Sequence, residues 1–327
     1  MSNFENLIGE INKKNEEKRT VQSAEKKEHV EPAVEAPETA DTKKSYAERM
    51  AEKKAQCYAM IDDACLDAVA SPDKLRQFLA VQSRFDKYSL NNALLIFEQR
   101  PDAVKVKDFE AWKKDDISIK KGAKSIMILE PSPYKGNDGQ MHRGYNAKNV
   151  FDITDVEAPE EAYPHQRTYE EKELVAALVH DSPVPIRKAE QSLGEHQAIY
   201  DAKNKVVYFK SGLDFDVAFP AIAKALAHAE MAKDVENYRI GEHEFAARCT
   251  AHVIAQRYGV DLREVSVYGI PPKLQSMEAE DIKKELGDVH RNVKSITSRM
   301  NESLDKTQAK EQPQQSPSKG SKVREDR

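Results

Sequence analysis

Cysteine is scarce in this sequence: Cys57, Cys65 and Cys249 are the only three in 327 residues. They form no C-x-x-C pair, which excludes zinc-finger spacing, and they are too few and too scattered for a disulfide framework. Tryptophan is scarcer still, with Trp112 alone. No run of about 18 apolar residues is present, so no membrane-spanning helix is expected. The opening MSNFENLIGEINKKNEEKRT lacks the apolar core of a signal peptide, and a reducing cytoplasm is the expected compartment. G-x-S-x-G, Walker-type and G-x-G-x-x-G patterns are absent, and the nine histidines form no H-x-H cluster. These absences remove the commonest signatures of hydrolytic serines, phosphate-cradling loops and dinucleotide sites.

Charge is plentiful. Charged residues make up 33% of the chain and the hydrophobic set 39%, with a formal net charge of −5, which predicts a soluble, surface-rich protein. The charge is unevenly placed. Between Arg84 and Val150 there are thirteen Lys/Arg against nine Asp/Glu, an excess of four positive charges on an acidic chain. A locally basic module of this kind is compatible with phosphate binding, and equally with an ordinary solvated face of mixed charge.

The pattern divides the chain into segments. Residues 1–43 are rich in Glu, Lys, Ala and Pro and nearly free of aromatics. Such a segment buries too little apolar surface to offset its ordering entropy, so disorder is expected there and again over the polar stretch Gln308–Arg327. Residues 44–156 read as one α+β unit: helices over Ser45–Val81, a helix Leu90–Gln99 capped by Ser89, a short helix Phe109–Lys114, a strand Ser125–Leu129, a hairpin loop Tyr134–Arg143 and a returning strand Asn149–Ile153. The acidic, proline-containing stretch Glu157–Pro164 marks the expected boundary and a protease-sensitive joint. Residues 163–274 read as a helix-rich unit, with a hairpin Ile199–Phe209 and helices Asp216–Lys233 and His243–Tyr258. Residues 275–327 read as a charged helical extension and tail, exposed because no sustained a/d seam stands out.

Within the first unit, Tyr88 and Trp112 are candidate stacking residues for unpaired bases. Lys120, Lys121 and Lys124 flank Gly122, where backbone approaches a phosphate readily, and Ser89, Asn92 and Gln99 complete the candidate strand-binding set. On residue chemistry alone a second reading stands beside this one, with Trp112 in the core and the lysines in an ordinary loop.

The combined motifs resemble the N-terminal single-stranded-DNA-binding domain of the ArdC-type antirestriction family of conjugative plasmids and integrative elements. The resemblance covers residues 57–155 and is carried by Tyr88, Ser89 and Asn92; Leu95, Ile96, Gln99, Pro101 and Ala103; Phe109 and Trp112; Lys120, Lys121, Gly122 and Lys124; Ile126–Pro131; and Phe151-Asp152. One departure is the Asp115-Asp116 pair, where the family has a Gly-Arg step. The resemblance implies single-stranded DNA as partner, a mobile-element setting of conjugative transfer, and a zincin-like metallopeptidase domain behind the first.

In a zincin, H-E-x-x-H on one helix supplies two zinc ligands and a general base, and a third ligand comes from the next helix. Here the sequence offers His228-Ala229-Glu230-Met231-Ala232. Aligned on His228 as first ligand, Ala229 replaces the base, Ala232 the second histidine, and Arg248 stands at the expected carboxylate. A guanidinium cannot bind a metal cation. His228 reads as a residual, structural position, with a salt bridge from Glu230 to Arg248 as one option. The resulting expectation is an α+β protein of two domains: a small single-stranded-DNA-binding domain and a degenerate zincin-like domain. It has no metal, no cofactor and no catalytic residues, with antirestriction or DNA protection as the role. An active metallopeptidase with atypical ligands and a protein-interaction adaptor are the alternatives.

Overall fold

The computed structural model describes residues 45–136, 138–164, 167–233 and 235–311. The disorder expected of residues 1–43 and of the tail beyond residue 311 lies outside the described residues, whereas Gln308–Glu311, expected to be disordered, form the end of the last helix. The fold is α+β. Its first part runs α1 (Tyr46–Ala68), α2 (Pro72–Arg84), α3 (Leu90–Gln99), β1 (Val106–Lys107), α4 (Phe109–Lys114), β2 (Ile126–Pro131), β3 (Tyr134–Lys135), β4 (Met141–His142) and β5 (Tyr145–Asp152). Its second part runs α5 (Glu171–Val179), β6 (Ile186–Lys188), β7 (Ala198–Asp201), β8 (Val206–Phe209), α6 (Phe215–Met231), α7 (Ile240–Tyr258), α8 (Pro272–Gln275) and α9 (Ala279–Glu311).

Local chemistry explains the helix starts. Ser45 opens α1 with a capping box: its hydroxyl accepts from the Glu48 N–H and its own N–H donates to the Glu48 carboxylate. Ser71 caps α2, whose first residue is Pro72, and Ser89 caps α3. In the first sheet the strand order is β1-β5-β2, all antiparallel, with Ile126 opposite Val150 and Pro131 opposite Tyr145. In the second it is β6-β8-β7, where β6 runs parallel to β8 and β7 antiparallel to it.

Two large cores share walls. The first gathers Ile61, Leu75, Phe78, Leu94 and Ile126, and it also takes Cys249 and Val253 from α7 and Leu286 and Val289 from α9. The second gathers Leu178, Val207, Phe219 and Leu226, with Ala251 and Ile254 from the other side of α7 and Ile296, Met300 and Leu304 from further along α9. The helix expected as an exposed extension is therefore a packed one. Ile282, Leu286, Val289, Val293, Ile296 and Met300 are buried at alternating spacings of four and three, the seam that charged neighbours obscured in the sequence. Arg257 adds an ion pair to Asp86 at 2.8 Å and Arg76 donates to the Val267 carbonyl at 2.6 Å, tying the two halves further.

The Glu157–Pro164 stretch is not bare either. Ala158, Ala162 and Tyr163 pack on a small third cluster formed by Trp112, Ile153 and Val156. Lys105 Nζ donates to the Ala162 carbonyl at 2.9 Å. All three cysteines are buried and unbridged, and none of the described helices is long and apolar enough to cross a membrane.

Candidate nucleic-acid interface and a His–Glu–Lys cluster

The residues proposed from sequence for strand binding separate into two groups. Asn92 and Gln99 face inward, toward the free edge of β2. Asn92 donates to the Leu129 carbonyl and accepts from its N–H, at 2.9 and 2.8 Å. Gln99 does the same for Met127, at 2.9 and 2.8 Å. The two amides act as a surrogate strand, closing an edge that would otherwise pair with another chain. Ser89 is spent on the α3 cap. Trp112 is fully buried, its Nε1 donates to the Phe151 carbonyl at 3.0 Å, and Lys105 and Lys107 lie over its ring at 6.0 and 5.0 Å. Its apolar ring is worth more in the third cluster than in water, so it offers no open face to a base, and the stacking role expected for it is corrected to a core role. Tyr88 is half-buried, donating from its hydroxyl to the Val106 carbonyl at 3.3 Å with its ring edge-on to Phe85.

The lysine turn remains at the surface. Lys120, Lys121 and Lys124 are exposed, with Lys120 Nζ held to the Thr154 carbonyl at 2.9 Å. Gly122 turns the chain at φ +83, a conformation glycine adopts without strain. Other cations of this half are already paired: Arg100 with Asp155, Lys107 with Asp115, and Lys148 with Asp108 and Glu130. The acidic Asp115, exposed at the surface, is thus paired with a cation of its own unit.

The structure also reveals a surface that sequence reasoning passed over as a loop. The β3–β4 hairpin grows from the end of the β2–β5 ladder, with Tyr134 opposite His142 and Lys135 opposite Met141. The Tyr134 and His142 rings stack at 5.6 Å. Gly144 lets the strands close, since a Cβ there would meet the Ser132 carbonyl oxygen at 2.6 Å. Tyr134 is 57% exposed, Met141 67% and Tyr145 37%. Lys135 and Arg143 stand exposed beside them and, like Lys121 and Lys124, have no ion pair among the described residues. The signal was present as Tyr134-Lys135 and His142-Arg143-x-Tyr145, an interleaving of rings and cations. Hairpin and lysine turn sit at opposite ends of β2, whose six residues span about 20 Å.

In the second half, the polar residues of α6 and α7 meet in one cluster. His228 is buried; its Nδ1 lies 2.7 Å from the Tyr238 hydroxyl and its Nε2 lies 3.2 Å from Glu244 Oε2. The other Glu244 oxygen accepts from Lys224 Nζ at 2.9 Å and from Arg248 at 3.2 Å. Burial pushes the Glu244 carboxyl up, but the hydrogen bonds from His228 and Lys224 and the Lys224 charge outweigh it and hold the group at about 2. Burial pushes the Tyr238 hydroxyl up, reinforced by Tyr200 and Glu244, so it stays protonated.

This geometry corrects the alignment made from sequence. His228 is one turn after Lys224, and Glu244 completes the group, so the helix presents Lys-x-x-x-His rather than His-x-x-x-Ala. Ala232 lies past the last residue of α6, as its C-cap. Glu230 pairs with Arg299 at 2.7 Å and with Lys233 at 2.5 Å, not with Arg248. The donor set does not fit a zinc ion: Lys224 and Arg248 bring cations to the carboxylate, and Ala225 stands where the base would follow the first ligand. Among the described residues, no three His, Cys, Asp or Glu side chains gather around one metal position.

No family model and no curated protein matches this chain. Two solved structures of the antirestriction ArdC protein from plasmid R388 are similar to it. The Mn(II)-bound structure is 12% identical with a TM-score of 0.46, covering 65% of this chain and 84% of that one. The metal-free structure is 12% identical with a TM-score of 0.41, covering 66% and 85%. At these values the likeness assigns this chain neither an activity nor a partner.

Proposed function

We propose that this chain binds single-stranded DNA without sequence preference, in an antirestriction or DNA-protection role on a mobile element. The observation that supports it most is the exposed hairpin, where Tyr134 and Tyr145 stand beside Lys135 and Arg143, with Lys121 and Lys124 at the far end of β2. Rings at the surface hold bases only where those bases are unpaired, and cations beside them meet the phosphates of the same strand. The motif resemblance over residues 57–155 adds the mobile-element setting. In this reading Asn92, Gln99 and Trp112 shape the platform from within, and the second half is a scaffold around the His228 cluster.

The test is anisotropy titration of labelled single-stranded DNA, duplex DNA and single-stranded RNA with the full chain. Single-stranded DNA is expected to bind most tightly. Tyr134→Ala and Tyr145→Ala should each weaken it by roughly 5- to 150-fold if each ring holds a base. Absence of binding to any oligonucleotide at low salt would refute the proposal, and the adaptor reading would take its place.

A further inference from the structure

We infer that the Lys224 ammonium is a built-in replacement for a divalent cation, and that the cluster around it is one side chain short of a metal site. Lys224 and His228 are four residues apart on α6 and so share one face of the helix. That is the spacing at which two histidines on a helix bind zinc. Glu244 from α7 reaches the same point: its Oε2 lies 3.2 Å from His228 Nε2. Two ligands at zinc–nitrogen and zinc–oxygen distances on adjacent corners of a tetrahedron are about 3.3–3.5 Å apart. His228 and Glu244 are therefore already spaced almost as two corners of a coordination shell, with a cation, Lys224 Nζ, on the carboxylate at 2.9 Å.

Tyr238 supplies the outer support. A ligating histidine is oriented by a partner on its other ring nitrogen, and the Tyr238 hydroxyl sits 2.7 Å from His228 Nδ1. An ion at Nε2 would place the ring's proton on Nδ1, and the Tyr238 hydroxyl, which can donate or accept, would then accept it. A histidine at position 224 is shorter than an extended lysine, so its ring stops short of the carboxylate and leaves room for an ion between them. Arg248 is the remaining cation on Glu244, and its side chain is 38% exposed, so solvent reaches it. Ala225 keeps the general base absent, so a restored ion brings binding without peptide hydrolysis.

The experiment is Lys224→His in the full chain, purified without a tag, with zinc binding followed by equilibrium dialysis and by the shift in Tm on zinc addition. The wild type is expected to take up no stoichiometric zinc and to show no shift. The variant is expected to take up one zinc per chain with a rise in Tm, and Lys224→His combined with His228→Ala is expected to lose both. Stoichiometric zinc on the wild type, or a folded Lys224→His variant without zinc, would overturn the inference. Lys224→Met keeps the test decisive if the histidine variant does not fold. Removing the ammonium should lower Tm by about 2–4 °C or more, and an unchanged or raised Tm would show that the ammonium does not fill a cation position. None of these outcomes depends on oligonucleotide binding.

Discussion

Removing four cations gives the sharpest test of the strand-binding surface. Lys121, Lys124, Lys135 and Arg143 are exposed and have no ion pair among the described residues, so each is available to a phosphate. On a single strand, each neutralised phosphate contributes about −0.7 to the slope of log affinity against log salt. Four contacts give a slope of about −2.8, which amounts to a loss of about 50-fold between about 50 and 200 mM salt. Replacing all four with Ala should make the slope shallower by about 2.8 and weaken binding most at low salt. Lys107→Ala and Arg100→Ala serve as contrasts. These cations are committed to Asp115 and Asp155 and should change the slope little. Exposed substitutions of this kind cost stability only about 0.5 kcal/mol each, and Trp112 emission reports whether the fold persists. A folded quadruple variant with the wild-type slope would refute the assignment of these residues.

Other predictions concern the interior. Trp112→Ala should cost about 3–5 kcal/mol, as for other large buried aromatics, and wild-type Trp112 emission should stay unmoved when oligonucleotide is added, because the ring is enclosed. Met300→Ala, in the second core, should destabilise by about 2–5 kcal/mol and move the urea midpoint read at Trp112; a Trp112 transition that ignores this substitution would show that the halves unfold separately. A fragment ending near residue 156 loses the α7 and α9 faces of the first core and should be markedly less stable than the full chain in urea. Glu244 is held at about 2 against an ordinary 4.5. A depressed carboxylate stabilises fully above the ordinary value and loses that contribution as pH falls toward the folded one. The Tm gap between wild type and Glu244→Gln should therefore be widest near neutrality and close on acidification from about 4.5 toward 2.

Much of the secondary structure was legible because it is local. The helix Leu90–Gln99 and the short helix Phe109–Lys114 occur within the expected bounds, since their caps and apolar spacing lie in adjacent residues. The strand β6 was not foreseen: its parallel partner β8 is remote in sequence, and three residues carry no period. The seam of α9 was masked by Glu and Lys at intervening positions, and only its neighbours reveal that one face is covered on both halves. Among the candidate site residues, Lys121 and Lys124 lie exposed, whereas Asn92, Gln99 and Trp112 turn inward. Their residue types suit either a ligand or a backbone edge, and sequence does not distinguish the two.

The sequence by itself determined the local grammar of this protein: where the helices capped by Ser71 and Ser89 begin, where glycine turns the chain, where charge accumulates, and that no H-E-x-x-H motif is present. Tertiary structure alone decided which polar groups remain for a partner. Capping and periodicity act over a few residues, but burial and ion pairing depend on which surfaces meet from different elements, here 16 to 55 residues apart. That is why Arg100 is neutralised by Asp155 while Arg143 is left to solvent. It is also why His228 finds Glu244 and Lys224 rather than the residues that alignment on a motif would have given it.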